Sequence, residues 1–120
     1  MSRARSQSLF DMQYLTSAMN SVHEIVTHPY QMVGNKVVLA LFSIWYSGSE
    51  SLTFEIQGSY DGINWVTIGS AATLNTMGPA TTAAANVDYA FVRAAFRIST
   101  ATTTTKTAFS AAFVFSEQGT

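Results

Sequence analysis

The chain contains no cysteine, which excludes disulfides, thiolate metal sites and a cysteine nucleophile and leaves the redox compartment unreadable. Charge is also scarce: charged residues make up 11% of the 120 residues, less than half of the roughly 25% usual in soluble domains. Ser, Thr, Ala, Asn and Gln stand in their place. A surface of small neutral groups is cheap to desolvate, so this composition predicts a subunit packed against neighbours, with a homo-oligomer as the expected state. A net charge of -1 and a pI near 6.0 provide no general attraction to nucleic acid or to an anionic membrane, and neither partner is expected. No apolar run approaches the ~20 residues of a membrane helix. "MSRARSQSLF" lacks the apolar centre of a signal peptide, so the expected product is soluble and not conventionally exported.

Catalytic signatures are missing as well. There is no phosphate-gripping glycine loop, no Gly-x-Ser-x-Gly elbow and no His-Glu-x-x-His. The seven acids are scattered, with no pair at acid-base spacing. His23, Glu24 and His28 form the one ionisable cluster, but on a strand His23 and Glu24 point to opposite faces and cannot share a metal without a bend. The expectation is a non-enzymatic protein with no metal and no cofactor. Arg93 and Arg97 share a strand face beside Phe91, too few for a nucleic-acid groove; cation-π or interface contacts and plain solvation are the open readings.

What is present is β patterning. Residues 1–20 read as an N-terminal arm that begins with a basic stretch. Within it Ser8 and Asp11 have capping-box spacing, and Leu9, Met12, Leu15 and Met19 recur at helical intervals. A short helix therefore competes with an extended arm docked on a neighbour or on the domain's own edge, and the extended arm is preferred because everything downstream is β. Residues 21–120 read as a single domain. "SVHEIVTH" is an outer strand ended by Pro29, and "KVVLALFSIWY" a central strand buried on both faces. "LTFEIQG" places Leu52, Phe54 and Ile56 on one face; "YAFVRAAFRIS" and "TAFSAAFVF" do the same for Val92, Ala94, Phe96 and Ile98 and for Phe109, Ala111, Phe113 and Phe115. Residues 70–88 show no period and read as a long connection that crosses between sheets or meets a partner. About six such strands predict an all-β fold, an antiparallel β-sandwich or jelly roll with an N-terminal arm.

"GSYDGINWVTIG" joins two of these strands. Asp61 can bond nearby backbone N–H groups and Gly62 accepts the positive φ of a turn, so the stretch reads as a hairpin. Asp61 is its one carboxylate, too few ligands for a calcium loop. Trp65 then enters the next strand, where it either plugs one end of the sandwich or, with Tyr60, offers a stacking platform to a glycan.

The stretch "FEIQGSYDGINWVTIG" resembles the Gly-Ser-x-Asp-Gly-x-x-Trp hairpin of small β-sandwich virion proteins of tailed bacteriophages and gene transfer agents, and more weakly that of discoidin-type domains. Gly58, Ser59, Asp61, Gly62 and Trp65 carry the match, which implies a folding role for them. The resemblance implies a virion structural subunit, made in the host cytoplasm: a head decoration protein, a head-fibre or spike base, or a tail accessory. Its partners would be further copies of itself and other capsid or tail proteins, gripped through an assembly arm with Arg3, Arg5, Leu9 and Phe10 and through small-residue faces. The discoidin-like alternative is a carbohydrate-binding or adhesin module; for it the chain is short and lacks the family's terminal cysteines.

Overall fold

The computed structural model describes residues 2–17, 22–48, 51–99 and 105–118. Ten strands follow one another: β1 (Ser2–Ser17), β2 (Val22–Val26), β3 (Tyr30–Gln31), β4 (Lys36–Ser47), β5 (Leu52–Ser59), β6 (Val66–Leu74), β7 (Gly78–Thr81), β8 (Ala85–Asn86), β9 (Phe91–Ser99) and β10 (Thr105–Gln118). They form two antiparallel sheets. The first runs β1-β10-β4-β7, with β8 also paired to β4; the second runs β2-β9-β5-β6, with β3 also paired to β9. The architecture is the expected antiparallel β-sandwich.

Alternation decides the core. Leu52, Phe54 and Ile56 of β5 and Val92, Ala94, Phe96 and Ile98 of β9 face Val37, Leu39 and Leu41 of β4 and Phe109, Ala111, Phe113 and Phe115 of β10, all buried in one cluster. Phe96 and Phe109 meet between the sheets with ring centroids 5.2 Å apart. Each such side chain contributes about 1.5–3 kcal/mol by leaving water.

β4 departs from its expected double burial. Its inward residues Val37, Leu39, Leu41 and Ser43 are buried, whereas Phe42 on the other side is 51% exposed and Ile44 is also exposed. A two-layer sandwich has no third layer to cover that side, so an apolar run on a central strand still has an outer face.

The segment 2–17 is not the helix that its apolar spacing allowed. It pairs with β10 from Ser2 opposite Gln118 to Ser17 opposite Thr105, with register shifts between Ser8 and Phe10 and between Phe10 and Gln13. β10 has β4 on one side only, and a ladder along its other edge supplies long-range hydrogen bonds that an isolated short helix in water lacks. The extended segment thus lies on the domain's own edge, with Leu9 packed against the core.

Residues 70–88 are more ordered than a bare connection. After β6 the chain crosses to the first sheet, where β7 pairs with Ala40–Ser43 and β8 with Lys36 and Val37. Between them buried Thr82 continues the ladder: its N–H donates to the Leu39 carbonyl at 3.0 Å, and its Oγ1 accepts from the Leu39 N–H at 3.0 Å. Thr27 does the same where β2 stops before His28 and Pro29. Its N–H donates to the Ala94 carbonyl at 2.9 Å and its Oγ1 accepts the Ala94 N–H at 3.0 Å. In both places a hydroxyl fills an acceptor position that a broken strand leaves empty.

Candidate functional site

The β5–β6 hairpin is organised by two side chains. The last ladder pair is Gly58 opposite Val66, after which Ser59 Oγ accepts the N–H groups of Asp61 at 3.2 Å and Gly62 at 2.9 Å. Asp61 Oδ1 accepts the N–H groups of Ile63 at 2.8 Å and Asn64 at 2.9 Å and the Ser59 hydroxyl at 2.9 Å; its Oδ2 accepts from Asn64 Nδ2 at 2.8 Å. Gly62 sits at φ 78°, which a side chain would strain. These bonds all favour the ionised carboxylate, the backbone N–H of Asn64 foremost and then that of Ile63, and they hold the Asp61 pKa far below the usual carboxylate range. Its lone pairs are spent on the turn.

Trp65 does not plug the sandwich. It precedes β6 on the outer side of the second sheet, half-buried, and the Arg93 guanidinium carbon lies 4.3 Å from its ring centroid. Arg93 Nε donates to Gln57 Oε1 at 2.7 Å. Gln57 Nε2 donates in turn to Glu55 Oε2 at 3.2 Å, and Thr67 Oγ1 donates to the same oxygen at 2.6 Å. Arg97 Nη1 stands 3.8 Å from Glu55 Oε1. Glu55, 8% exposed, is thus a buried carboxylate with two hydrogen-bond donors and a cation. The cation-π reading of Arg93 is realised with Trp65, and the guanidinium occupies one face of the indole that a sugar would need.

Tyr60 is placed otherwise. It is 64% exposed, its ring centroid 4.5 Å from that of Tyr89. The Asp88 carboxylate lies near enough for its charge to raise the Tyr60 pKa above that of an ordinary phenol. Beside it Asn35, Asn86, Val87 and Asp88 line a shallow open groove. Sequence reasoning missed Asn86 and Asp88 because they end a stretch without period, and it read Tyr89 only as the start of the next strand; the i, i+2 spacing of Asn86 and Asp88 was the available signal.

The side chains of Arg3, Arg5, Phe10, His23 and Glu24 lie outside those described. Of the histidine cluster the described member is His28, its ring 4.4 Å from that of Tyr30. Among the described residues no three His, Asp or Glu side chains gather as a metal group, and no helix is long and apolar enough to cross a membrane.

The outer face of the first sheet is the remaining feature. Cross-strand register sets Val114 opposite Val38, Ala112 opposite Ala40, and Phe42 opposite Pro79. On β10, β4 and β7 the charges of this face, Lys36 and Lys106, stand at its two ends. Ser8 of β1 pairs with Ala112 and joins Ala40, Phe42 and Ser110 around a shallow depression.

No known protein family matches the chain, and no curated protein does. Solved structures share its fold. The chain is similar to the PBSX exported protein XepA, with a TM-score of 0.63 at 12% identity over 97% of this chain, and it spans 38% of the XepA chain. It is also similar to PirA, with a TM-score of 0.50 at 13% identity, over 83% of this chain and 92% of that one. At these identities the likeness is one of fold: an all-β, two-sheet sandwich.

Proposed function

We propose that the chain is a non-enzymatic structural subunit of a phage-like virion, a head decoration, head-fibre or spike-base, or tail accessory protein. It assembles as a homo-oligomer and against other capsid or tail proteins. The observation that carries this reading is the outer face of the first sheet. Phe42, Val38 and Val114 stand there among Ala and Ser with, among the described side chains of β10, β4 and β7, charge only at the ends, and such a face is covered at little desolvation cost. The fold shared with XepA, an exported protein of the phage PBSX, supports the phage setting. The hairpin carboxylate and the Glu55 network are both engaged in holding structure, which fits a protein selected for assembly.

The test is the solution mass of the purified chain by light scattering, joined to co-sedimentation with induced phage-like particles of its own host. A closed oligomer or particle binding is expected for the native chain, and Ala112→Asp should abolish it while leaving the β-sheet circular dichroism unchanged. A native chain that stays monomeric and leaves the particles bare would overturn the proposal.

A further inference from the structure

The end of the sandwich formed by the β5–β6 hairpin and the segment before β9 carries a second surface with different chemistry. Tyr60 presents an exposed ring whose other side rests on Tyr89. That support is built into the strand: a Cβ at Gly58 would lie 2.8 Å from the Tyr89 ring and 2.5 Å from Ile68 Cδ1, so the glycine makes room for Tyr89 to seat beneath Tyr60. The groove wall is equally tied down. The Val87 N–H donates to the Asn35 carbonyl at 2.9 Å, and the Asn35 N–H donates to the Ser116 carbonyl at 3.1 Å. Asn86 and Asp88 are therefore displayed from a backbone pinned to β4 and β10, and Asp88 directly precedes the Tyr89 on which Tyr60 rests.

From this juxtaposition we infer a binding site for a neutral saccharide, formed by the Tyr60 ring with Asp88 and Asn86. A pyranose has one apolar C–H face and a rim of hydroxyls that donate and accept. The exposed tyrosine face suits the first, and an acceptor-only carboxylate beside an amide that both donates and accepts suits the second. The Asp88 charge disfavours sialic and uronic acids, which would place a second carboxylate against it. Trp65 takes no part, being stacked with Arg93. Asn86 pairs with Lys36 at the end of the first sheet's outer face, but the site uses none of Val38, Phe42 and Val114 and stands independently of the assembly reading.

Saturation-transfer difference NMR on the full chain tests this with the methyl glycosides of glucose, galactose, mannose and N-acetylglucosamine, and with N-acetylneuraminic acid as the anionic counterpart. Transfer to the C–H protons of at least one neutral glycoside and none to the acid is expected. Tyr60→Ala should weaken the binding about tenfold, with thermal unfolding unchanged because the ring is exposed. Asp88→Asn should weaken the neutral glycoside and admit the acid. Absence of transfer to every neutral glycoside overturns the site and leaves Tyr60 to a protein partner; so does binding that survives both substitutions.

Discussion

Asp61 and Gly58 show how much of the hairpin depends on single atoms. Asp61 is an exposed carboxylate whose pKa is depressed by hydrogen bonds that exist only in the folded turn. A group with a depressed folded pKa contributes stability that is fully present above its unfolded pKa near 4 and is lost as pH falls through the lower folded value. The turn should therefore stay closed in mild acid. Carbon-detected NMR titration should find the Asp61 midpoint below those of the other acids, with the Ile63 and Asn64 amides moving in the same step; an ordinary midpoint would show that the bonds do not persist. At Gly58 the limit is space, since its φ is not in the left-handed region. An added methyl would meet two side chains, Ile68 and Tyr89, at closer than van der Waals distance. Gly58→Ala should cost about 1–3 kcal/mol through overpacking, read as a lower urea midpoint. An unchanged midpoint would mean that both neighbours yield freely.

At the scale of the element, the strands are interrupted more often than their patterning suggests, and buried hydroxyls repair the breaks. Thr82→Val keeps the shape but leaves the Leu39 N–H without its acceptor in a buried place. A loss of about 1–3 kcal/mol is expected by chemical denaturation, and equal stability would show that water or a shifted carbonyl replaces the hydroxyl. At the β4–β10 bulge hydroxyls serve as donors instead. Ala108 pairs with Trp45 but Phe109 with Ser43, and the Trp45 carbonyl accepts from Ser43 Oγ at 3.1 Å and Thr107 Oγ1 at 2.9 Å. These irregularities mark where sequence reading stopped. The alternation of β5, β9 and β10 was legible because one face of each is core and nothing interrupts the inward residues. β1 was ambiguous because its apolar residues keep no steady alternation: Leu9 packs against the core while Met12 is exposed, and two register shifts fall between Ser8 and Gln13. β7 and β8 were invisible because they are short and send only Ala80 and Ala85 toward the core, too little to make an apolar pattern. The turn chemistry of Ser59, Asp61 and Gly62 was readable locally. The place of Trp65 was not, since it depends on Arg93 reaching it from β9, a strand far along the chain.

For the whole molecule, the pairing of β1 with β10 joins the first described residues to the last, Ser2 to Gln118. This has a consequence for folding and for solubility. Most contacts in the sandwich are long-range, so loop-closure entropy must be lost before they form, and the chain is expected to fold in milliseconds to seconds. The β1–β10 ladder joins residues as far apart in sequence as Ser2 and Gln118, so its closure costs the most loop entropy. Until it closes, the outer edge of β10 presents an open ladder along "TAFSAAFVF", a charge-free run of aromatic and small residues with strong β character. β1 covers that edge with a strand of its own that is broken by two bulges and therefore poor at recruiting a further strand. Residues 2–17 are thus part of the domain's protection. Deleting them should remove the Leu9 packing and the whole ladder, lower stability by at least about 2 kcal/mol, and produce aggregates that grow from the bare β10 edge. Light scattering alongside urea denaturation checks both effects. A truncated chain that stays monodisperse with an unchanged midpoint would show that β1 is a detachable arm after all.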